Sequence, residues 1–179
     1  MSTVPLAQWL AHRPRRGATA VDTIVLHSSA HPSVDRLVDE LRAQEHSYHY
    51  VIDVDGTVHK CVPYSAVAFH AGNSYGPHEA ARGISRQRDV RHHFVELTSV
   101  NDYTISICFL RPDEFSGPAP DVQVGACKTL IQDLKTPLPK LAYLTTHAFV
   151  APGQVPELIG VDLVRLAAET SLAVWAPEA

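Results

Sequence analysis

The run Thr104–Leu110 (TISICFL) most constrains what this chain can become. It is short, apolar and β-branched, and Arg111-Pro112 ends it, so it reads as the central strand of a sheet. Ile24, Val25 and Leu26 make a second such run inside TAVDTIVLHSS, a further buried strand. Helical patterns fall between these runs. Ser33 is placed to cap a helix in which Val34, Leu37, Val38 and Leu41 recur at three- and four-residue spacing. Residues 121–135 give a second amphipathic helix through Val122, Val124, Cys127, Leu130, Ile131 and Leu134, and Leu163–Val174 gives a last one. Tyr48–Ile52 alternates like a strand, Asp55-Gly56 supplies a hairpin turn into Thr57–Val62, and Leu141–Thr145 is a short strand. Strands interleaved with helices and no internal repeat predict an α/β fold, a central mixed β-sheet flanked by helices.

At 179 residues the chain has the size of one domain. Residues 1–20 read as an N-terminal extension, an amphipathic opening followed by a basic, proline-containing linker from Arg13 to Gly17. Residues 21–179 form the domain proper. Within it, residues 71–103 show no sustained periodicity. Gly72, Asn73, Gly76, Pro77 and Gly83 sit there among charged residues, so the segment is expected to be mostly loop, and a loop of that length is usually functional or mobile.

The net charge of −4 gives no electrostatic footprint for nucleic acid or a membrane surface. No stretch reaches the roughly 18 apolar residues of a membrane span, and the N-terminus lacks the apolar run of a secretory signal, which leads to an expected cytoplasmic location. Three cysteines, Cys61, Cys108 and Cys127, are an odd number without C-x-x-C spacing, an argument against a disulfide framework.

Eleven histidines stand out. His27 ends the first buried strand, His147 follows the short strand in YLTTHAFVAPG, and His70 lies in AFHAGNS between an apolar stretch and a glycine turn. Imidazoles projecting from the ends of strands on a rigid sheet can converge on one ion, because neutral imidazole binds Zn²⁺ well. Taken one at a time, each reads more readily as a hydrogen-bonded structural residue than as a ligand. His49, one residue after Tyr48, is expected on the opposite face of its strand in a structural role. His12, His31, His46, His59, His78, His92 and His93 read as solvated, and Cys108 as a small buried hydrophobe.

The order of five motifs resembles the N-acetylmuramoyl-L-alanine amidase family. They are a strand ending in histidine and small hydroxyl residues (IVLHSSA), a tyrosine-histidine strand leading to a D-G hairpin and a valine-proline segment (SYHYVIDVDGTVHKCVPY), an aromatic-histidine-alanine-glycine box (AFHAGNS), an asparagine-led central strand (NDYTISICFL), and a strand-end histidine followed by Pro-Gly (THAFVAPG). Together they span about residues 22–166.

The resemblance implies a zinc site in which His27 and His147 are the first two ligands. The third ligand lies about ten residues beyond the second histidine, on Glu157, with Asp162 as the alternative carboxylate. It also implies that Tyr48 lies beside the zinc-bound water and that His70 lines the substrate groove, these two being the candidate catalytic groups. Asn73 and Asn101 join His70 as candidate substrate-binding residues. The pairing of Tyr48 with Cys108 resembles the phage-lysozyme branch of the family. Val155 stands where the family carries a lysine.

The activity implied is zinc-dependent hydrolysis of the amide between N-acetylmuramic acid and L-alanine in peptidoglycan or muropeptides, by a monomer that needs neither nucleic acid nor membrane. Release to the cell wall would follow a non-Sec route. The alternative is a muropeptide-binding module of the same fold that does not cut, and a hydrolase of a different amide bond stands behind both.

Overall fold

Two fully buried strands organise the structure: β3 (Thr23–Ser29) and β7 (Thr104–Leu110). The computed structural model describes residues 4–6, 8–15, 20–72, 74–81, 100–112, 117–151 and 160–177. β3 and β7 run parallel in full register, from Thr23 opposite Thr104 to Ser29 opposite Leu110. Around them the described residues build a mixed seven-stranded sheet with the order β1-β5-β4-β7-β3-β8-β9. Its other strands are β1 (Val4–Pro5), β4 (Tyr50–Ile52), β5 (Val58–Lys60), β8 (Tyr143–Thr146) and β9 (Ala173–Val174). Among the described residues of this sheet only β4 and β5 pair antiparallel, across the hairpin that Asp55-Gly56 predicts. Gly56 there takes φ +84°, and a Cβ would come within 2.8 Å of Val122, so the turn requires glycine.

Alternation along the strands gives the sheet two unlike faces. Ile24, Leu26, Tyr50, Ile52, Ile105, Ile107, Phe109 and Leu144 form one, packed beneath α4 (Asp121–Lys135) and α6 (Leu163–Thr170). The other carries Thr23, Val25, His27, Thr104, Ser106, Cys108 and Thr145, all buried and many of them polar. α1 (Val34–Ala43) covers part of this second face. Val34, Leu37, Val38 and Leu41 lie on Val51, Cys108 and Leu110, and Ser33 caps the helix by accepting from Arg36 N.

The N-terminal extension is built into both sheets. β1 extends the main sheet beside β5, while β2 (His12–Pro14) pairs antiparallel with β6 (Ala66–Ala68) as a separate ribbon. Arg15 follows β2 and donates to the carbonyl oxygens of Tyr64, Asp102 and Thr104.

Several helical readings change. In α4 it is Gln123, not Val122 or Val124, that is buried, while Val122 is 52% exposed. The reason is polar: Gln123 Nε2 donates to the carbonyls of Ile52 and Leu110 at the ends of β4 and β7. The last helix stops at Thr170, not Val174. Ser171 takes the left-handed conformation, and the chain then pairs with β8, Ala173 N donating to Ala142 O and Trp175 N to Leu144 O. The 71–103 segment contains two short helices, α2 (Pro77–Ala81) and α3 (Val100–Tyr103), and residues 82–99 lie outside the described part. A further turn of helix, α5 (His147–Val150), begins directly at the end of β8.

Candidate active site

His27 is the fifth residue of β3, and the register that sets Leu26 opposite Thr146 brings His147 beside it. β8 ends at Thr146 and the chain turns into α5, so His147 leaves the sheet on the polar face. The two ring centroids are 4.7 Å apart with 34° between the planes. Both residues are buried, at 0% and 6% exposure. Two residues far apart in sequence are thus held as neighbours by a rigid parallel ladder.

Two more predicted residues join them. The Tyr48 ring lies 4.8 Å from that of His27, centroid to centroid. His70, just after β6, places Nδ1 3.0 Å from His27 Nε2 and Nε2 2.9 Å from Thr104 Oγ1. Burial is the largest influence on His70 and holds its pKa well below the ordinary histidine range, with His27, His49, His147 and Arg15 adding repulsion for a positive ring. Both ring nitrogens of His70 are thus engaged, and the residue is a buried member of a hydrogen-bond chain.

His49 also differs from its expected position. Because β4 begins only at Tyr50, Tyr48 and His49 do not alternate across a strand, and His49 lies in the same cluster, 6.3 Å from His70 between ring centroids. It is structural in its bonding: Nδ1 accepts from Ser106 N at 3.0 Å, which leaves Nε2–H to donate to Ala66 O at 3.2 Å. Burial, and secondly the Arg15 charge, push its pKa down to about 3.

The Asn101 side-chain oxygen is engaged by backbone. That oxygen accepts from the backbone N–H groups of His70 and Ala71, at 3.2 and 3.0 Å, and so fixes the strand end that carries His70. Asp162, the alternative carboxylate, is engaged elsewhere in the structure. It caps α6, accepting from Arg165 N at 2.9 Å, on the side of the sheet covered by α4 and α6. Glu157, Val155 and Asn73 lie outside the described residues. Among the described residues no group of three or more His, Cys, Asp and Glu side chains could hold a metal ion.

Cys108 sits opposite His27 in the register and is fully buried, in keeping with a small hydrophobe. None of the three cysteines is in a disulfide. His31 and His78 are not simply solvated. His31 bridges Ser29 and Glu40, while His78 stacks on Tyr103 and meets Asp22 Oδ2 at 2.6 Å. Thr104 and Arg15 were not anticipated near the site. Thr104 had a signal in the sequence: in TISICFL the small and polar residues 104, 106 and 108 alternate with Ile105, Ile107 and Phe109, which marks a polar face.

The model of the family described as N-acetylmuramoyl-L-alanine amidase matches residues 17–155. The chain belongs to that family. The amidase also shares its fold with solved structures. A selenomethionine AmpD derivative aligns with TM-score 0.67 at 20% identity over 93% of each chain. The N-acetylmuramoyl-L-alanine amidase LysC from Clostridium intestinale URNW aligns with TM-score 0.68 at 17% identity, over 97% of this chain and 99% of that one. Drosophila PGRP-LB aligns with TM-score 0.59 at 16% identity over 96% of each chain. No curated protein matches the amidase in sequence. Among its described residues no helix is long and apolar enough to cross a membrane.

Proposed function

We propose that the amidase hydrolyses the bond between N-acetylmuramic acid and L-alanine in peptidoglycan or muropeptides, using a zinc ion held by His27, His147 and Glu157. The observation that carries this reading is the adjacency of the His27 and His147 rings at 4.7 Å. Two ligand nitrogens about 2.0–2.1 Å from one ion fit a pair of rings so placed. A bound zinc supplies a Lewis acid that lowers the pKa of its water to about 7. The chain's own residues supply the rest. To Tyr48, whose ring lies against His27, we assign the hydroxyl that stabilises the charge developing on the carbonyl oxygen of the scissile amide. His70, Thr104 and Asn101 hold the imidazoles in position from behind.

The test is release of alanine-linked peptide from muropeptide by the wild-type chain, with and without chelator, beside His147→Ala. Loss of release in both treatments is expected. Activity that survives both removes the zinc mechanism.

A second reading, a muropeptide-binding module that does not cut, is favoured by one feature: Val155 stands where the family carries a lysine. Metal analysis separates the two. Purified amidase with about one zinc per chain supports the hydrolase, and zinc-free protein that still binds muropeptide supports the module.

A further inference from the structure

An arginine carries its N–H donors in a rigid planar fork, so a guanidinium drawn in from solvent has to meet several acceptors in fixed directions. Arg15 meets backbone from separate stretches of the chain. Its Nε donates to Tyr64 O at 3.2 Å, its Nη1 to Asp102 O at 2.6 Å and Asn101 O at 3.4 Å, and its Nη2 to Thr104 O at 2.9 Å. Two residues earlier, Arg13 pairs with the Asp102 carboxylate and stands in β2 opposite Val67 of β6. The N-terminal arm therefore grips two segments at once: β6 with the residues just before it, and the junction of α3 with β7.

These two segments are the ones that hold His70. β6 ends at Ala68 and leads straight into it. From the junction, Asn101 Oδ1 accepts from His70 N and Ala71 N, and Thr104 Oγ1 lies 2.9 Å from His70 Nε2. The His70 ring in turn stands 3.0 Å from that of His27, nitrogen to nitrogen. We propose that Arg15 is a positioning residue: together with Arg13 it clamps β6 to the α3–β7 junction, and so fixes where His70 stands against His27. The clamp is a property of the metal-free chain. Its effect on catalysis rests on the zinc reading above.

The clamp works through the shape of the fork, because a lysine ammonium is a single point that does not span the carbonyls of 64, 102 and 104. Arg15→Lys in the full chain is the test. Amide hydrogen exchange on metal-free protein separates a local clamp from general stability: a global loss speeds buried helix amides such as those of Leu130 and Ile131, whereas a broken clamp speeds His70 and Ala71 selectively. That selective increase should be about 10-fold or more, the factor that goes with losing one charge-assisted hydrogen bond. Zinc affinity, read by chelator competition, should fall about 10- to 100-fold. On a defined muropeptide kcat should fall with KM close to wild type. Should Arg15→Lys fold poorly, the outer half of the clamp gives a second route. Arg13→Asp and Asp102→Arg should each loosen His70 and Ala71, and the two together should restore them.

Exchange at His70 and Ala71 that rises no more than at Leu130 and Ile131, in Arg15→Lys and in the Arg13 and Asp102 single variants alike, overturns the clamp. Selective loosening with zinc affinity and kcat both unchanged overturns the positioning role. Selective loosening in a chain whose wild type takes up no zinc and releases no peptide supports the clamp and removes the zinc reading instead.

Discussion

The Tyr103 hydroxyl donates to Glu79 Oε2 at 2.5 Å, inside a patch where Tyr103 is fully buried and Glu79 is 4% exposed. Gly76 N donates to the same carboxylate oxygen at 3.0 Å, and His78 stacks on the phenol ring. These contacts fasten α2 against the start of β7. Burial is the dominant influence on Glu79 and raises its pKa, more than the bonds from Tyr103 and Gly76 lower it. The folded chain therefore holds a proton on Glu79 at pH values where the unfolded chain has lost it. By linkage, this residue's contribution to stability is complete below the ordinary glutamate range and is lost as pH rises through the folded-state value. Urea unfolding of wild type and Glu79→Gln at acid and neutral pH should show the wild type losing ground to the variant as pH rises. A difference that does not change with pH overturns this account.

Gly76 is pressed against the same patch, and a Cβ there would overlap the Tyr103 hydroxyl. Gly76→Ala should therefore displace Tyr103 or α2 and cost about 1–3 kcal/mol, the usual range for overpacking. Chemical denaturation reads the loss. Tyr103→Phe alongside it should relieve the overlap, so that the double variant is more stable than the sum of the two single changes predicts.

Gln123 satisfies two strand-end carbonyls, Ile52 O at 3.1 Å and Leu110 O at 2.9 Å, from the helix above them. Gln123→Leu fits an apolar face by shape but takes the amide donor away from both buried acceptors. A loss of about 1–3 kcal/mol is expected. For a chain of this size that corresponds to roughly 2–4 °C in melting temperature for each kcal/mol. Activity per folded molecule should hold, since the residue lies on the face opposite the histidines.

The same residue shows where sequence reading stops. The runs at 24–26 and 104–110 named the two central strands because a strand buried on both faces carries apolar residues in close succession, and the helix at 34–43 followed from the spacing of its four buried residues. Periodicity weighs side chains one by one, so it passed over Gln123, whose place depends on carbonyls contributed by two other strands. β1, β2 and β6 escaped notice for a related reason: each is two or three residues long, too short to show alternation. The site divides in the same way. The motif order carried His27, His147, Tyr48 and His70, and the sheet brings all four together. The roles of His70 and Asn101 depend on hydrogen bonds across long separations, to Thr104 and to the 70–71 backbone, and no spacing in one chain encodes those.

Tyr48 is the sharpest probe of the chemistry proposed for the site. Its ring is placed by contact with His27 and by packing at the edge of the cluster beneath α1, so Tyr48→Phe keeps the ring and its contacts and removes only the hydroxyl. If that hydroxyl stabilises charge that develops on the scissile carbonyl, its loss is felt in the transition state and not in the bound substrate. A fall of about 10²–10³ in kcat is then expected, the range seen when one oxyanion donor is deleted. KM and zinc content should stay close to wild type, because neither substrate binding nor the imidazole pair is touched. Steady-state kinetics on a defined muropeptide, with metal analysis of the same preparation, give both numbers. A variant with unchanged kcat assigns the oxyanion to another donor, and a variant that loses zinc makes Tyr48 a support for His27 instead of a participant in the reaction.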